Sequence, residues 1–181
     1  MASDETAIHL LPWENMDARR VTTVVRDNKL HLAPWEPLRS PEYFTLRAQA
    51  RLLDQSEEDR AADRAYTFAI VTVCTDAIVG RIALTGVQRG PFQSCNLGYW
   101  VSETSCGRGY ATQAVRLAQQ VAFGDLQLHR VAAAVVPTNG ASVRVLEKSG
   151  FRFEGFARRY LSLAGAWADH LLFAKTVEEK S

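Results

Sequence analysis

Cys106-Gly107-Arg108-Gly109-Tyr110-Ala111 is the stretch that decides the fold of this 181-residue chain. The apolar run 97–101 before it predicts a strand, and residues 109–123 after it predict a helix. A helix start presents unpaired backbone N–H groups and the positive end of the helix dipole, so it attracts anions. Glycines allow close approach to such a group, but they also serve plain turns. The stretch therefore predicts either a pyrophosphate site or a simple strand-to-helix turn.

A second unit of the same kind follows along the chain. The apolar run 131–136 predicts a strand, and Pro137-Thr138-Asn139-Gly140-Ala141-Ser142 leads into a short helix that ends at Ser149-Gly150-Phe151. Asn139 and Ser142 are either ligands or side chains that satisfy backbone N–H groups at the helix start. The two units predict an α/β sheet with two helix starts at one open edge.

This order of elements and motifs resembles the GNAT acyltransferases. Their acetyl-CoA signature, Gln/Arg-x-x-Gly-x-Gly/Ala, reads Cys106, Gly109 and Ala111 here, so Cys106 replaces the usual Gln or Arg. Three further segments resemble the RimJ/RimL branch of that family, and RimJ more closely. They are residues 32–37, Gln88-Arg89-Gly90 before Tyr99-Trp100, and Trp167-Ala168-Asp169-His170.

The resemblance implies one α/β domain over residues 1–181, with a mixed, mostly antiparallel central sheet flanked by helices. The strands at 97–101 and 131–136 would splay apart and form a cleft for acetyl-CoA, the implied co-substrate. The amides of the glycine turn and Arg108 would hold its pyrophosphate, and the N–H near Val101 would polarise the acetyl carbonyl. The implied cofactor-binding residues are Trp100, Val101, Cys106, Gly107, Arg108, Gly109, Tyr110, Ala111, Asn139 and Ser142.

The RimJ/RimL branch acetylates the α-amino groups of ribosomal and other proteins, and relatives act on small amines. The implied reaction is direct attack of a neutral amine on the thioester, after which a thiolate leaves. Three hypotheses follow for this chain. It is a protein N-terminal acetyltransferase, a small-molecule amine acetyltransferase used in metabolism or self-resistance, or a CoA-binding regulator without turnover.

The catalytic groups are less clear than the cofactor site, because two residues of the family's machinery are absent. The frequent tyrosine acid falls on Leu146, and the glutamate proposed as base in RimL-like enzymes falls on Leu161. Ser142 is then the candidate for hydrogen bonding the departing sulfur, or it is only a helix-start serine. The candidate bases are Glu36, Glu103, Asp169 and His170, of which we rank Glu36 and Asp169 first.

Aromatic and charged residues predict where the acceptor binds. Trp35 and Glu36 lie in a proline-flanked loop that this branch places beside the acceptor, and we add Arg89 and Trp167 to the predicted acceptor groove. An α-amino group with a pKa near ~8 needs about 1.4 kcal/mol to lose its proton at neutral pH, against roughly 4.6 for lysine near ~10.4. A site without an obvious base therefore favours α-amines.

Composition and charge limit the cellular location and the binding partners that we expect for this chain. The formal net charge of +1 argues against broad nucleic-acid binding, and no apolar run reaches the roughly 20 residues of a membrane span. The first residues lack the pattern of a signal peptide. Cys74, Cys95 and Cys106 have no metal-type spacing and suit reduced thiols. We expect a cytoplasmic monomer or homodimer without a metal, a direct nucleic-acid partner or a membrane partner.

The other elements follow from periodicity and capping signals. Apolar spacing predicts a helix over 16–25, and Ser40-Pro41 predicts the start of a second helix. The charged run Glu57-Glu58-Asp59-Arg60 reads as a solvated connection after that helix. The remaining predicted strands are 8–11, 66–73, 78–84, 95–101, 151–157 and 171–176.

Overall fold

The computed structural model describes residues 7–179, and their strands form a seven-stranded sheet. The strands lie in the order β1-β2-β3-β4-β5-β7-β6. Strands β4 and β5 run parallel, and each other neighbouring pair is antiparallel. The predicted mixed, mostly antiparallel α/β sheet is therefore confirmed. The strands are β1 Ile8–Pro12, β2 Ala65–Thr72, β3 Ile78–Gln88, β4 Ser94–Val101, β5 Arg130–Val135, β6 Arg152–Leu163 and β7 Ala166–Thr176.

Helices cover both faces of the sheet. Consecutive residues of a strand point to opposite faces, and in β2 Ala69 packs on one apolar cluster while Ile70 packs on the other. The Ala69 cluster contains Val21 of α1 and Leu53 of α3, and the Ile70 cluster contains residues of α4 and α5. The helices are α1 Ala18–Asp27, α2 Lys29–Leu32, α3 Leu46–Ala61, α4 Tyr110–Gln120 and α5 Gly140–Lys148.

The start of α3 differs from the prediction. Pro41–Phe44 form a separate 3-10 turn, and the side chain of Ser40 makes no capping hydrogen bond. The helix begins at Leu46 because Thr45 Oγ1 accepts a hydrogen bond from the N–H of Ala48 at 3.2 Å. The charged run 57–60 was wrongly predicted as a connection, since it lies inside α3, where Arg60 ion-pairs with Glu14.

The hairpin of β6 and β7 is longer than the sequence predicts. Its turn residues Ala164 and Gly165 have φ of 48° and 85°, which is the sign pattern of a tight hairpin turn. A bulge opposite Asp169 contains Arg159, whose φ is 50°. The segment 167–170 therefore lies inside β7, and its side chains alternate between the two faces of the sheet.

Strands β4 and β5 separate soon after they meet. Their pairing covers only residues 94–96 of β4 with residues 130–132 of β5. Strand β4 meanwhile follows β3 up to the pair of Gly80 and Val101. A Cβ atom on Gly80 would lie 2.3 Å from the carbonyl oxygen of Trp100, so glycine permits this close approach. The end of β4 thus stays with β3 and leaves a gap toward β5.

Candidate active site

The gap between β4 and β5 opens into a cleft of about 760 Å³. Ser102 N–H donates to Val79 O of β3 at 2.8 Å. Because N–H groups alternate between the two edges of a strand, the N–H of Val101 is directed toward the gap. The predicted site residues that line the cleft are Trp35, Glu36, Trp100, Val101, Cys106, Gly107, Gly109, Tyr110, Ala111, Asn139 and Ser142.

The glycine turn forms one end of the cleft. Gly107 and Gly109 have φ of 77° and 80°, a conformation that side chains rarely adopt. A Cβ on either glycine would meet no atom within 4 Å, so the backbone faces open space. Gly109 directly precedes α4 and offers no side-chain cap, while Tyr110 is buried and anchors the first turn of the helix. This arrangement fits a phosphate group, which would accept from the N–H groups of that turn.

Ser142 lies at the start of α5 and contacts β4 across the gap. Asn139 Oδ1 accepts from the N–H of Ser142 at 3.1 Å, so Asn139 caps the helix. The hydroxyl oxygen of Tyr99 lies 2.9 Å from Ser142 Oγ and 3.3 Å from Ser142 O, and its single proton can be donated to one of these two atoms at a time. Burial raises the pKa of Tyr99 to about 12, against an opposing effect of its bond to Ser142. Tyr99 therefore stays protonated at neutral pH, and no motif in the sequence indicates a role for it.

The opposite side of the cleft is the predicted acceptor groove. The loop after α2 supplies Trp35 and Glu36, and the β6–β7 hairpin supplies Leu161, Leu163 and His170. The N–H of Ala164, at the tip of the hairpin, donates to Glu36 O at 2.9 Å and joins the two parts. Glu36 is the only acidic residue among the described residues that line the cleft, and Arg39 Nε lies 3.3 Å from its carboxylate.

Residues 8–152 match the family of the acetyltransferase (GNAT) domain. The chain belongs to the GNAT acetyltransferases. It is 35% identical to the probable N-acetyltransferase YjcK of Bacillus subtilis, with 92% of each chain covered. Two solved structures are similar. The ribosomal-protein-S5-alanine acetyltransferase of Vibrio fischeri has a TM-score of 0.87 at 33% identity, over 96% of this chain and 94% of that one. RimJ of Mycobacterium smegmatis, in complex with CoA-disulfide, has a TM-score of 0.88 at 32% identity, over 97% and 85%.

These matches place the chain in the RimJ/RimL branch of the GNAT acetyltransferases and identify it as an acetyl-CoA-dependent N-acetyltransferase. Acetyl-CoA is its co-substrate and supplies the acetyl thioester. The open backbone of the glycine turn fits the pyrophosphate of acetyl-CoA, and the free edge of β4 fits its thioester. Arg108 is the exception among the predicted cofactor residues, because it is exposed and does not line the cleft.

Asp169 does not line the cleft, contrary to its ranking as a candidate base. Its Oδ1 accepts from the N–H of Arg159 at 2.8 Å and so holds the bulge in β6. Its neighbour His170 points to the other face, lines the cleft and is only 2% exposed. The Nδ1–H of His170 donates to Ala168 O at 2.9 Å, which leaves Nε2 as the acceptor of the neutral ring. His170 was among the candidates in the sequence but ranked behind Asp169.

Arg89 and Trp167 also lie outside the cleft, contrary to expectation. Two nitrogens of Arg89 bind Asp63 at 2.6 and 2.8 Å, and a third donates to Leu126 O at 2.5 Å. The hydrogen bond from Arg89 is also the main reason that the pKa of Asp63 is lowered. Trp167 is 68% exposed on the face of β7 opposite to that of His170. Arg89 therefore links the segments that contain Asp63 and Leu126. Trp167 faces away from the acceptor groove.

Cys106 lines the cleft, but its surroundings do not activate it as a nucleophile. Burial, and then the charge of Glu103, raises the pKa of the thiol. Its Sγ donates to Ser102 O at 3.4 Å and lies 3.9 Å from His31 Nε2. A raised pKa lowers the thiolate fraction at neutral pH, so Cys106 contributes its small size and backbone rather than thiolate chemistry.

The described part of the chain has neither a metal-binding cluster nor a membrane-spanning helix. Within residues 7–179, no three His, Cys, Asp or Glu side chains are grouped so that they could hold a metal ion. No helix in that range combines the length and apolar character needed to cross a bilayer.

Gly109→Ala tests the glycine turn as the phosphate site. A side chain at this positive φ shifts the backbone or blocks its approach to the ligand, so we expect the dissociation constant for acetyl-CoA to rise at least about tenfold. Isothermal titration calorimetry measures this change. Gly90→Ala is the matched control, because Gly90 also has a positive φ and open space around it but lies outside the cleft. Unchanged binding by the Gly109 variant would contradict the assignment.

Proposed function

We propose that this acetyltransferase modifies the N-terminal α-amino group of a protein, such as a ribosomal protein. The similarity to the Vibrio fischeri S5-alanine acetyltransferase over 96% of the chain supports this proposal. The observation that carries it is the charge of the acceptor groove. Glu36 is the only carboxylate among the described residues that line the cleft, whereas the basic lining residues Arg81, Arg144 and Lys148 belong to β3 and α5, outside the loop and hairpin that form the acceptor groove. One carboxylate suits one ammonium group, whereas a polycationic small amine needs several.

Ser142 and Tyr99 would stabilise the thiolate as it leaves. The hydroxyl of Ser142 can donate to the sulfur while its oxygen accepts from Tyr99, 2.9 Å away. Tyr99 keeps its proton because burial raises its pKa to about 12. Its contact with Ser142 Oγ supports a role in positioning the serine. The N–H of Val101, on the free edge of β4, would donate to the acetyl oxygen as charge develops there.

His170 and Glu36 would have different roles toward the acceptor amine: His170 would accept its proton, and Glu36 would bind it. An α-amine arrives largely as an ammonium ion, which the Glu36 carboxylate attracts into the groove. The fixed tautomer of His170 leaves Nε2 available to accept a proton from the ammonium ion, so that the neutral amine can attack the thioester. The proton that the nitrogen loses after the attack would pass to the departing thiolate. This division assigns the base to His170 and a binding role to Glu36. The cytoplasmic setting and a monomeric or dimeric state remain predictions from the sequence.

A panel of acceptors tests the proposed function. We expect CoA release from acetyl-CoA with peptides that begin with free Ser or Ala, and none with the same peptides when they are N-terminally blocked but carry lysine. Turnover only with small amines would overturn the proposal in favour of metabolite or resistance chemistry. Binding of acetyl-CoA without turnover on any amine would leave a CoA-binding regulator.

Variants at three of the four candidate bases separate their roles. We expect His170→Gln to lower kcat by about 10²-fold or more, because the proton acceptor is lost, with little change in KM for the acceptor. Glu36→Gln should instead raise KM for the acceptor, since it loses attraction for the ammonium ion. Asp169→Asn is the control, because its amide oxygen can still accept from Arg159. Loss of kcat in Glu36→Gln alone would move the base to Glu36.

Ser142→Ala tests the donor to the sulfur. The helix cap survives this change because it uses the N–H of Ser142, so we expect kcat to fall about 10²-fold with little change in acetyl-CoA binding. Tyr99→Phe should lower kcat about tenfold, since it removes only the hydroxyl that positions the serine. Single-turnover rates and acetyl-CoA titrations measure the two effects. Equal kcat in Ser142→Ala and the unmodified enzyme would leave the Ser142 hydroxyl without a role in the transfer.

A further inference from the structure

A second cavity of about 130 Å³ lies beside the cleft. The end of α1, the helix α2, the loop after it and the 3-10 turn 41–44 form its walls. Leu32, Glu36 and Trp100 line both the cleft and this cavity, so they form the boundary between the two spaces. We call it the side pocket. The proposed reaction uses Glu36 at this boundary but assigns no role to the side pocket itself.

The walls of the side pocket are held in place by hydrogen bonds to its backbone. Arg26 Nε donates to Phe44 O at 2.6 Å, and Gln49 Nε2 donates to Tyr43 O at 2.5 Å. Gln49 is itself buried, which fixes the 3-10 turn against α3. The pocket is therefore formed before any ligand arrives, so filling it costs little conformational entropy.

The lining of the side pocket suits an apolar group. Val25, Ala33, Pro37, Tyr43 and Phe44 contribute apolar surface. Its two cations are engaged with the walls: Lys29 Nζ lies 4.9 Å from the ring of Phe44, and Arg39 lies 4.4 Å from that of Tyr43. Arg39 Nε also lies 3.3 Å from the Glu36 carboxylate, so the charged groups beside the pocket are engaged with one another or with ring faces.

The volume limits the occupant to one side chain. At about 30 Å³ per water-sized group, the pocket holds roughly four non-hydrogen atoms, the size of valine, leucine or isoleucine side chains. Independent small-molecule sites are larger, at about 300 Å³ or more. The pocket therefore fits part of an acceptor whose amine lies in the main cleft.

We propose that the side pocket binds the side chain of the second residue of the acceptor peptide and selects aliphatic residues there. This inference rests on the proposed function. Trp100 separates the pocket from the cleft and directly precedes Val101, where the N–H faces the gap. The residue that carries the amine must occupy the space at Val101. The next Cα lies 3.8 Å further along the peptide, so its side chain is the one that passes Trp100.

Peptides that differ only at the second residue test the inference. With Ser first and Gly, Val, Leu, Ile, Asp or Trp second, we expect kcat/KM to be about 10- to 100-fold higher for the aliphatic residues than for Gly, Asp or Trp. Equal turnover of all these peptides would overturn the side-pocket inference while leaving the proposed function intact. No turnover of any peptide, with turnover of small amines, would overturn both.

Two variants change the pocket without touching the proposed catalytic groups. Ala33→Leu places extra carbons in it and should remove the preference for Leu over Gly at the second residue, with the Ser-Gly rate unchanged. Ala62→Leu is the matched control, because both alanines are exposed and directly follow a helix. Phe44→Leu enlarges the pocket and should shift the preference toward larger residues. An unchanged preference in both pocket variants would overturn the assignment.

Discussion

The early separation of β4 and β5 is the constraint on which the rest of the structure depends. A buried strand normally pairs its backbone groups on both edges, because an unpaired buried N–H costs free energy. Here β4 pairs with β5 only over residues 94–96 and then keeps one free edge. Gly80 permits this because the peptide at Trp100 comes closer to β3 than a side chain would allow. The unpaired edge becomes useful when a ligand supplies the missing acceptors.

The alternation of side chains along β4 divides the cleft into two chemically different sides. Tyr99 points toward α5 and contacts Ser142, while Trp100 packs on the cluster with α1 and α3. One strand thus carries, on one face, a residue that contacts the proposed donor to the leaving thiolate and, on the other, a residue that lines both the cleft and the side pocket. The backbone of Val101 lies between the two faces. Direct transfer requires this arrangement, since the amine and the sulfur must both reach one carbonyl carbon.

The sequence predicts the features of this fold that depend on neighbouring residues better than those that depend on contacts between distant segments. The glycine turn, the cap at Asn139 and most strands were predictable because they depend on residues that are close in the chain. The predicted start of α3 at Ser40 was wrong because Thr45 offers a competing cap nearby. Arg89 was misplaced because its partner Asp63 is distant in sequence. The contact of Tyr99 with Ser142 joins two elements that no local pattern connects.

His170 faces the cleft and Asp169 does not, and the geometry of the β6–β7 hairpin explains this difference from the prediction. The sequence predicts that this strand begins at residue 171, so it assigns residues 167–170 to neither face of the sheet. Without that information, the carboxylate of Asp169 is a more obvious base than His170. In the structure β7 begins at Ala166, and the bulge around Arg159 absorbs extra residues of β6 while Asp169 accepts from its backbone. Strict alternation then requires His170 to face the groove. The same hairpin reaches Glu36 through Ala164, so one two-residue turn links the positions of the proposed base and of the carboxylate that attracts the amine.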